Sequence, residues 1–484
     1  MPFTVKALLA VGLPMVAAMA VVGTFLGKEI IIFAGMLAMS VVGFLFVRPI
    51  VGIVIMSTAY LLAAYPTVFQ QLGLLSVNNL LGLCLLVLLL VRVLETRDLS
   101  FVTKPQVLIL AGIGLLFILG SIHADATYPT LQVSRATGRT GLKIIDRTGG
   151  MADDFTTRLA FLVLLSAFVR SRSDIKVLFA TFMLALFMAV PSALVNWAQG
   201  DLSRGFRTAA SVTAGANPNR LAMICLVQVV CWWFWAVASP SRRRWAVSVV
   251  AIGAAIVVLM GTGSRSGLLG AALTLVALQA GPTTMRVPRS GVMVGVVLSV
   301  VVTFTMAPER AVERMLSFFP QASDEVGASS IEMREQTIAT ARRIIADNPF
   351  WGVGLGNFRE VARQVYADRW FRPPHNSFIW ALAEGGIGVV LAYALLFWVT
   401  WRDLTRAIAL RAYDPEIGVL AAGTRTAFFV FLFFGLFADL WLNPMTYVLL
   451  GMAISMRRYL EELAVPARVP LGAARSPMLR GAAA

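Results

Sequence analysis

Leu80-Leu81-Gly82-Leu83-Cys84-Leu85-Leu86-Val87-Leu88-Leu89-Leu90-Val91-Arg92-Val93-Leu94 is an apolar run interrupted by a single charge. At a helical rise of 1.5 Å per residue, such a run with its flanking residues approaches the roughly 30 Å of hydrocarbon in a bilayer. Ile30 to Val47 and Val292 to Met306 have the same character. Of the 484 residues, 58% are hydrophobic, and the mean hydropathy is +0.79. Soluble domains sit near 45–50% apolar, so this chain needs lipid as its solvent and a single soluble domain is excluded. The fold class is therefore all-α, a polytopic integral membrane protein with about 12–14 transmembrane helices.

With the amino terminus inside, apolar segments fall near 5–26, 30–47, 50–65, 78–94, 106–121, 157–170, 175–197, 219–239, 245–261, 265–280, 290–306, 377–401, 425–441 and 444–459. Lys6 and Ala18-Met19-Ala20 loosely imitate a cleavable signal, but the apolar run continues through Phe25 and reads as the first membrane helix. The inward turns then receive Arg48, Arg92 with Arg97 and Lys104, Arg170 with Arg172 and Lys176, Arg242 to Arg244, Arg286 with Arg289, and Arg402 with Arg406 and Arg411. Positive charge belongs in short cytoplasmic loops. This predicts N-terminal transmembrane helices over 1–121, a periplasmic loop over 122–156, and central helices over 157–306 with a periplasmic loop at 198–218. A large periplasmic loop follows over 307–376, then C-terminal helices over 377–459 and a cytoplasmic tail over 460–484. The large loop exceeds the roughly 60 residues over which the charge rule acts, so its arginines do not contradict the topology. Within it, Ser330 to Asp347 reads as an external helix stopped by Asn348-Pro349, followed by a glycine-rich loop.

Lys and Arg number 41 against 25 Asp and Glu, giving +16. Topology accounts for that excess and no nucleic-acid motif accompanies it, so anionic lipids and phosphates are the expected partners. Cys84, Cys225 and Cys231 all lie in apolar segments, which supports neither a disulfide framework nor a paired-cysteine metal site. Trp232, Trp233 and Trp235 read as interfacial anchors.

Polar residues at the outer face carry the chemical information, because charge near lipid is costly. One connection presents Arg204, Arg207, Asn217, Asn219 and Arg220, the next Arg265, and the large loop Arg334 and His375. Guanidinium offers a planar fork of donors that fits phosphate oxygens, so converging arginines point to a phosphate or diphosphate. Arg204, Arg207 and Arg334 could equally meet lipid headgroups or acidic partners. Arg265, in Gly261-Thr262-Gly263-Ser264-Arg265-Ser266-Gly267, has no long loop to carry it into water. His375 follows Pro373-Pro374 and precedes an apolar run, with Asn376 or Ser377 as the helix cap. A histidine at a helix start beside arginines is favoured in its neutral form and can accept a proton from a hydroxyl. Asn348 to Phe358 contains a Gly352-Val353-Gly354-Leu355-Gly356 run without a nucleotide-loop context, and these glycines serve tight turns and close approach. Glu384 and Asp439 are acids in apolar segments that could pair with arginines.

Taken in order, these elements resemble the superfamily of O-antigen ligases and O-antigen or exopolysaccharide polymerases. The likeness spans roughly Ala214 to Leu391. It rests on Asn217-Pro218-Asn219, Ser264-Arg265-Ser266-Gly267, Arg334 followed by Asn348 to Phe358, and His375-Asn376-Ser377 with Glu384-Gly385-Gly386-Ile387-Gly388 behind it. The resemblance implies a GT-C class glycosyltransferase in the bacterial inner membrane that takes a glycan from undecaprenyl diphosphate at the periplasmic face, without metal, cofactor or nucleotide sugar. It implies His375 and Arg265 as catalytic, and Arg204, Arg207, Arg220, Arg334, Asn217, Asn219, Asn376 and Glu384 as diphosphate or glycan ligands. The acceptor would be the next lipid-linked repeat in a polymerase, or lipid A-core in a ligase; export or chain-length proteins are possible further partners. A transporter or flippase would instead place ionisable groups and broken helices near the midplane.

Overall fold

The computed structural model describes residues 48–62, 77–128, 144–199, 217–280, 325–370, 372–440 and 442–465, with a few isolated positions between them. The expected segments near 5–26 and 30–47 and nearly all of that near 290–306 lie outside the described residues, as do Arg204, Arg207 and the tail beyond 465. The helices described are α1 (Pro49–Leu62), α2 (Val77–Thr96), α3 (Pro105–Thr127), α4 (Ile144–Phe168), α5 (Arg172–Phe187), α6 (Ala189–Ala198), α7 (Pro218–Ala238), α8 (Arg242–Gly261), α9 (Arg265–Gln279), α10 (Glu325–Asp347), α11 (Phe358–Gln364), α12 (Ser377–Ala409), α13 (Pro415–Phe434) and α14 (Pro444–Ala464). No strand occurs among the described residues. Six helical stretches among them are long and apolar enough to cross a membrane, and α1 and α9 are shorter apolar helices. The protein is an all-α polytopic membrane protein.

Local chemistry sets where these helices begin. Asn217, Asp414 and Asn443 each accept a main-chain N–H of the first turn and are followed by proline, whose missing donor costs nothing there. Ser171 and Asp174 form a reciprocal capping box for α5. The expected segment 175–197 divides near Met188, where Pro191 cannot donate back to the preceding turn.

Three expectations need correction. α13 starts at Asp414-Pro415 and ends at Phe434, instead of running 425–441. Arg425, the first residue of the expected segment, instead lies midway along α13, where its guanidinium is 5.1 Å from the centre of the Trp401 ring and donates to Thr405 Oγ1 at 3.2 Å. Asp439 consequently belongs to the turn after α13 and not to a helix. α4 begins at Ile144, within the expected 122–156 loop. Trp232 and Trp233 are buried, not interfacial: Trp232 packs edge-on against Phe187 and Trp235, and Trp233 packs on Trp245 and donates to the Met285 carbonyl.

α7 is the centre of the main core, packing chiefly on α13 and α8. α12 lies along α3, α13 and α14. Turns rich in charge meet at one end of this bundle. Arg170 pairs with Asp98, Arg172 with Asp414 and Glu416, Lys176 with Glu416, and Arg406 with Glu461. A second, smaller core at the other end gathers Ala124 of α3, Ala341 and Ile344 of α10, Val353, Phe358 and Val361 around α11, and Ala383 of α12.

α12 is interrupted at Gly386, whose φ is 67° and ψ −171°. The groups freed there pair with the segment after α10: Val353 N–H donates to Ala383 O at 3.0 Å, and Ile387 N–H to Pro349 O at 2.9 Å. The glycine-rich loop thus fills the break. A Cβ on Gly386 would lie 2.1 Å from Phe350 O, and one on Gly352, itself at φ +64°, would lie 2.4 Å from the Glu384 carbonyl carbon. Gly386→Ala is therefore expected to cost roughly 3 kcal/mol from strain and overpacking, read as a lower melting temperature and smaller folded fraction in detergent; an unchanged melt would contradict the fit described.

Candidate active site

The break places the first part of α12 against α10, and the site is built at that end. Asn376 caps α12, its Oδ1 accepting from Phe378 and Ile379 N–H at 3.0 Å each. This occupies the side chain that the sequence reading assigned to a ligand. Immediately before it, His375 follows Pro373-Pro374 and adopts φ 50°, a left-handed conformation uncommon for a non-glycine residue and frequent at functional positions.

Ser377 straps the turn after α13 to this helix start. Its N–H donates to Gly435 O at 2.7 Å and its hydroxyl to Ala438 O at 2.6 Å, while Leu440 N–H donates to its Oγ at 2.8 Å. The strap delivers Asp439, whose Oδ2 lies 3.2 Å from His375 Nδ1. Arg220, in the first turn of α7, fixes the same turn by donating to Asp439 O at 3.1 Å. With Nδ1 standing beside the carboxylate, Nε2 is the ring nitrogen of His375 left to meet a substrate.

Ser264-Arg265-Ser266-Gly267 has a direct local explanation. Ser264 Oγ accepts Gly267 N–H at 3.1 Å, starting α9, and donates to Asn219 Oδ1 at 2.9 Å, which ties α9 to the start of α7. Arg265 is the first residue of α9. It is half-buried and makes no hydrogen bond or ion pair with the described residues. A guanidinium so placed keeps its donors for a ligand.

Asn217, Asn219, Arg334, Thr337, Arg372 and His375 line a cleft of about 140 Å³ with Met333 and Pro373. It therefore brings together four of the expected residues, Asn217, Asn219, Arg334 and His375, from the α7 start, α10 and the α12 start. Arg372 is a further lining residue that the sequence reading did not single out. Its signal was its place three residues before His375, within the same proline-bounded turn. The wall is stiffened by Trp370, whose indole N–H donates to Gln336 Oε1 at 2.8 Å, and by Tyr366, whose hydroxyl donates to Asp347 at 2.5 Å. Burial and then that hydrogen bond push the Tyr366 phenol above its ordinary pKa, so it stays protonated and supplies no base.

Glu384 is not among the residues lining the cleft. It is buried beneath the glycine-rich loop, where Gly356 N–H donates to Oε2 at 2.9 Å and Phe358 N–H to Oε1 at 3.1 Å. Its pairing is thus with main-chain amides, and its effect on the site is to hold the loop that links α10 to α11.

The cleft is polar and rich in cations, and the His375–Asp439 pair stands at its edge, at one end of an all-α membrane bundle. Residues 250–394 match the family model described as O-Antigen ligase. Over this stretch the chain is similar to that family, which supports the resemblance read from the sequence. The matched stretch includes Arg265, Arg334, Arg372, His375 and Glu384, but not Asn217, Asn219, Arg220 or Asp439. No curated protein matches the chain.

Replacing Glu384 by alanine would leave two buried N–H groups without acceptors, at about 1.5–3 kcal/mol for a hydrogen bond to a charged group. Glu384→Ala is expected to unfold several degrees lower than the native chain in a detergent melt, with Glu384→Gln between the two. Equal stability of all three would show that the loop does not depend on this carboxylate.

Proposed function

We propose that the protein transfers a glycan from undecaprenyl diphosphate to a sugar hydroxyl, joining lipid-linked repeat units into a polysaccharide. The observation that carries this is the His375–Asp439 pair at the edge of a cleft containing Arg334 and Arg372, with Arg220 and Arg265 on the adjoining helix starts. Cations of this kind suit a diphosphate leaving group, and a neutral imidazole oriented by a carboxylate suits deprotonation of an acceptor.

In the proposed step His375 Nε2 takes the acceptor hydroxyl proton as the oxygen attacks the anomeric carbon from the face opposite the diphosphate. The new glycosidic bond forms, the bond from anomeric carbon to diphosphate oxygen breaks, and the configuration inverts. Arg265, with Arg334 and Arg372, stabilises the charge released on the diphosphate. Asp439 stabilises the imidazolium until its proton is returned to solvent. The step calls on no metal. On this reading the cleft faces the periplasm and the ion-paired end faces the cytoplasm, consistent with the basic turns gathered there.

Transfer of finished glycan to lipid A-core is the second reading, in keeping with the ligase name of the matching family. A transporter gains little from the break in α12, because the main-chain groups discussed there pair with the 349–353 segment instead of being left for an ion.

The test is transfer in membranes lacking the native protein, supplied with defined lipid-linked repeats. His375→Ala and Arg265→Ala are each expected to lower transfer at least about a hundredfold at equal folded protein, and Asp439→Asn about tenfold or more. Lengthening of the lipid-linked chain supports polymerisation, whereas transfer only when lipid A-core is added supports ligation. Full activity in the His375 and Arg265 variants would refute the assigned site.

A further inference from the structure

A second polar cavity, of about 380 Å³, opens between the turn before α3 and the later parts of α12 and α14. Arg402 on its wall is 25 residues along α12 from Ser377, close to 40 Å at 1.5 Å per residue, so the cavity lies at the end opposite His375. The cleft and mechanism described above make no use of it.

Two of its three carboxylates, Asp403 and Glu461, are already engaged, and the third, Glu462, is exposed. Buried Asp403 accepts from Gln106 Nε2 at 2.7 Å, Arg402 at 3.0 Å and Arg457 at 2.5 Å. Glu461 accepts from Arg406 at 2.9 Å and Arg457 at 3.1 Å. Two cations on the wall are left over. Lys104 stands at the N-cap of α3, where its carbonyl accepts Val107 and Leu108 N–H, but its ammonium makes no hydrogen bond or ion pair with the described residues. Arg458 spends its terminal nitrogens on Ser166 O and Val169 O, but its buried Nε has no acceptor, and the exposed Glu462 carboxylate stands 4.0 Å away. Burial, then Arg458, Arg457 and Arg170, lower the Lys104 pKa, so the local field is positive and an anion would relieve it. Gln106, fully buried on the same wall, has an Oε1 with no donor.

The surroundings say what kind of anion fits. Trp398 and Trp401 are exposed on α12 just before Arg402, with the Arg402 guanidinium 5.4 Å from the Trp398 ring centre. Exposed tryptophans on a membrane helix mark the headgroup level. One turn deeper, Leu108 on α3 and Leu395 on α12 are exposed, and these two helices pack side by side. A basic cavity between helices at headgroup depth, continued by an apolar surface, is the arrangement that holds a lipid phosphate.

We infer that this cavity binds one anionic phospholipid, its phosphate held by Lys104 and the Nε of Arg458 at the start of α3, and its chains along the exposed apolar sides of α3 and α12. A headgroup hydroxyl would supply the donor that Gln106 Oε1 lacks.

The experiment uses the full chain, stripped of lipid in detergent and titrated with phosphatidylglycerol, phosphatidylcholine or inorganic phosphate, with retained lipid counted by native mass spectrometry. One phosphatidylglycerol is expected to be retained in preference to phosphatidylcholine. Lys104→Ala should weaken it about five- to tenfold, Lys104→Arg should preserve it, and Lys176→Ala, in the neighbouring Glu416 ion cluster, should leave it unchanged. Lys104→Gln gives the same reading should the alanine variant not fold. Equal retention of phosphatidylcholine, native affinity in Lys104→Ala and Lys104→Gln, or displacement of the lipid by equimolar inorganic phosphate would each overturn the assignment.

Discussion

Main-chain groups released inside an apolar bundle must find new partners, and the turn of α12 around Glu384 to Gly386 is where this protein meets that demand. The segment from Pro349 to Val353 supplies an acceptor and a donor to the broken helix, and Glu384 accepts two amides from the same loop in return. Unsatisfied buried groups cost of the order of 1–3 kcal/mol each, so helix and loop are stable together and not apart. The position of α10, the small second core around Phe358, and the direction in which α12 emerges to present His375 all follow from this exchange.

The site is cationic by construction, with its oriented carboxylate at the histidine. Asp439 reaches His375 because Ser377, two residues further along the chain, uses its hydroxyl both as donor and as acceptor to hold the 435–440 turn. Arg220 secures that turn through its main chain. Arg265, whose side chain has no partner among the described residues, begins a helix whose cap also anchors Asn219 on the cleft wall. The same small polar residues that start helices therefore set the spacing between the cation-bearing elements.

Much of this was legible in the sequence. Apolar run length gave the all-helical membrane class, a cap or proline marked the starts at Asn217-Pro218 and Asn376, and the order of short motifs singled out His375, Arg265 and Arg334. Other features were hidden because they depend on long-range partners. Asp439 looked like an acid inside a span, since the apolar run continues past Phe434, where α13 ends. Glu384 looked like a possible ligand, because nothing local reveals that amides 28 and 26 residues upstream converge on it. Trp232 and Trp233 looked interfacial because aromatic residues near a helix end give the same signal whether lipid or protein covers them.

His375 with Asp439, and the cation of Arg334, are carried by different elements of the fold. His375 and Asp439 are joined through Ser377 to α12 and the turn after α13, whereas Arg334 rides on α10, which packs chiefly on α12 and α11. Ser377 ties the histidine and its carboxylate into one unit through main-chain and hydroxyl bonds, so their spacing is set independently of the charge that α10 carries.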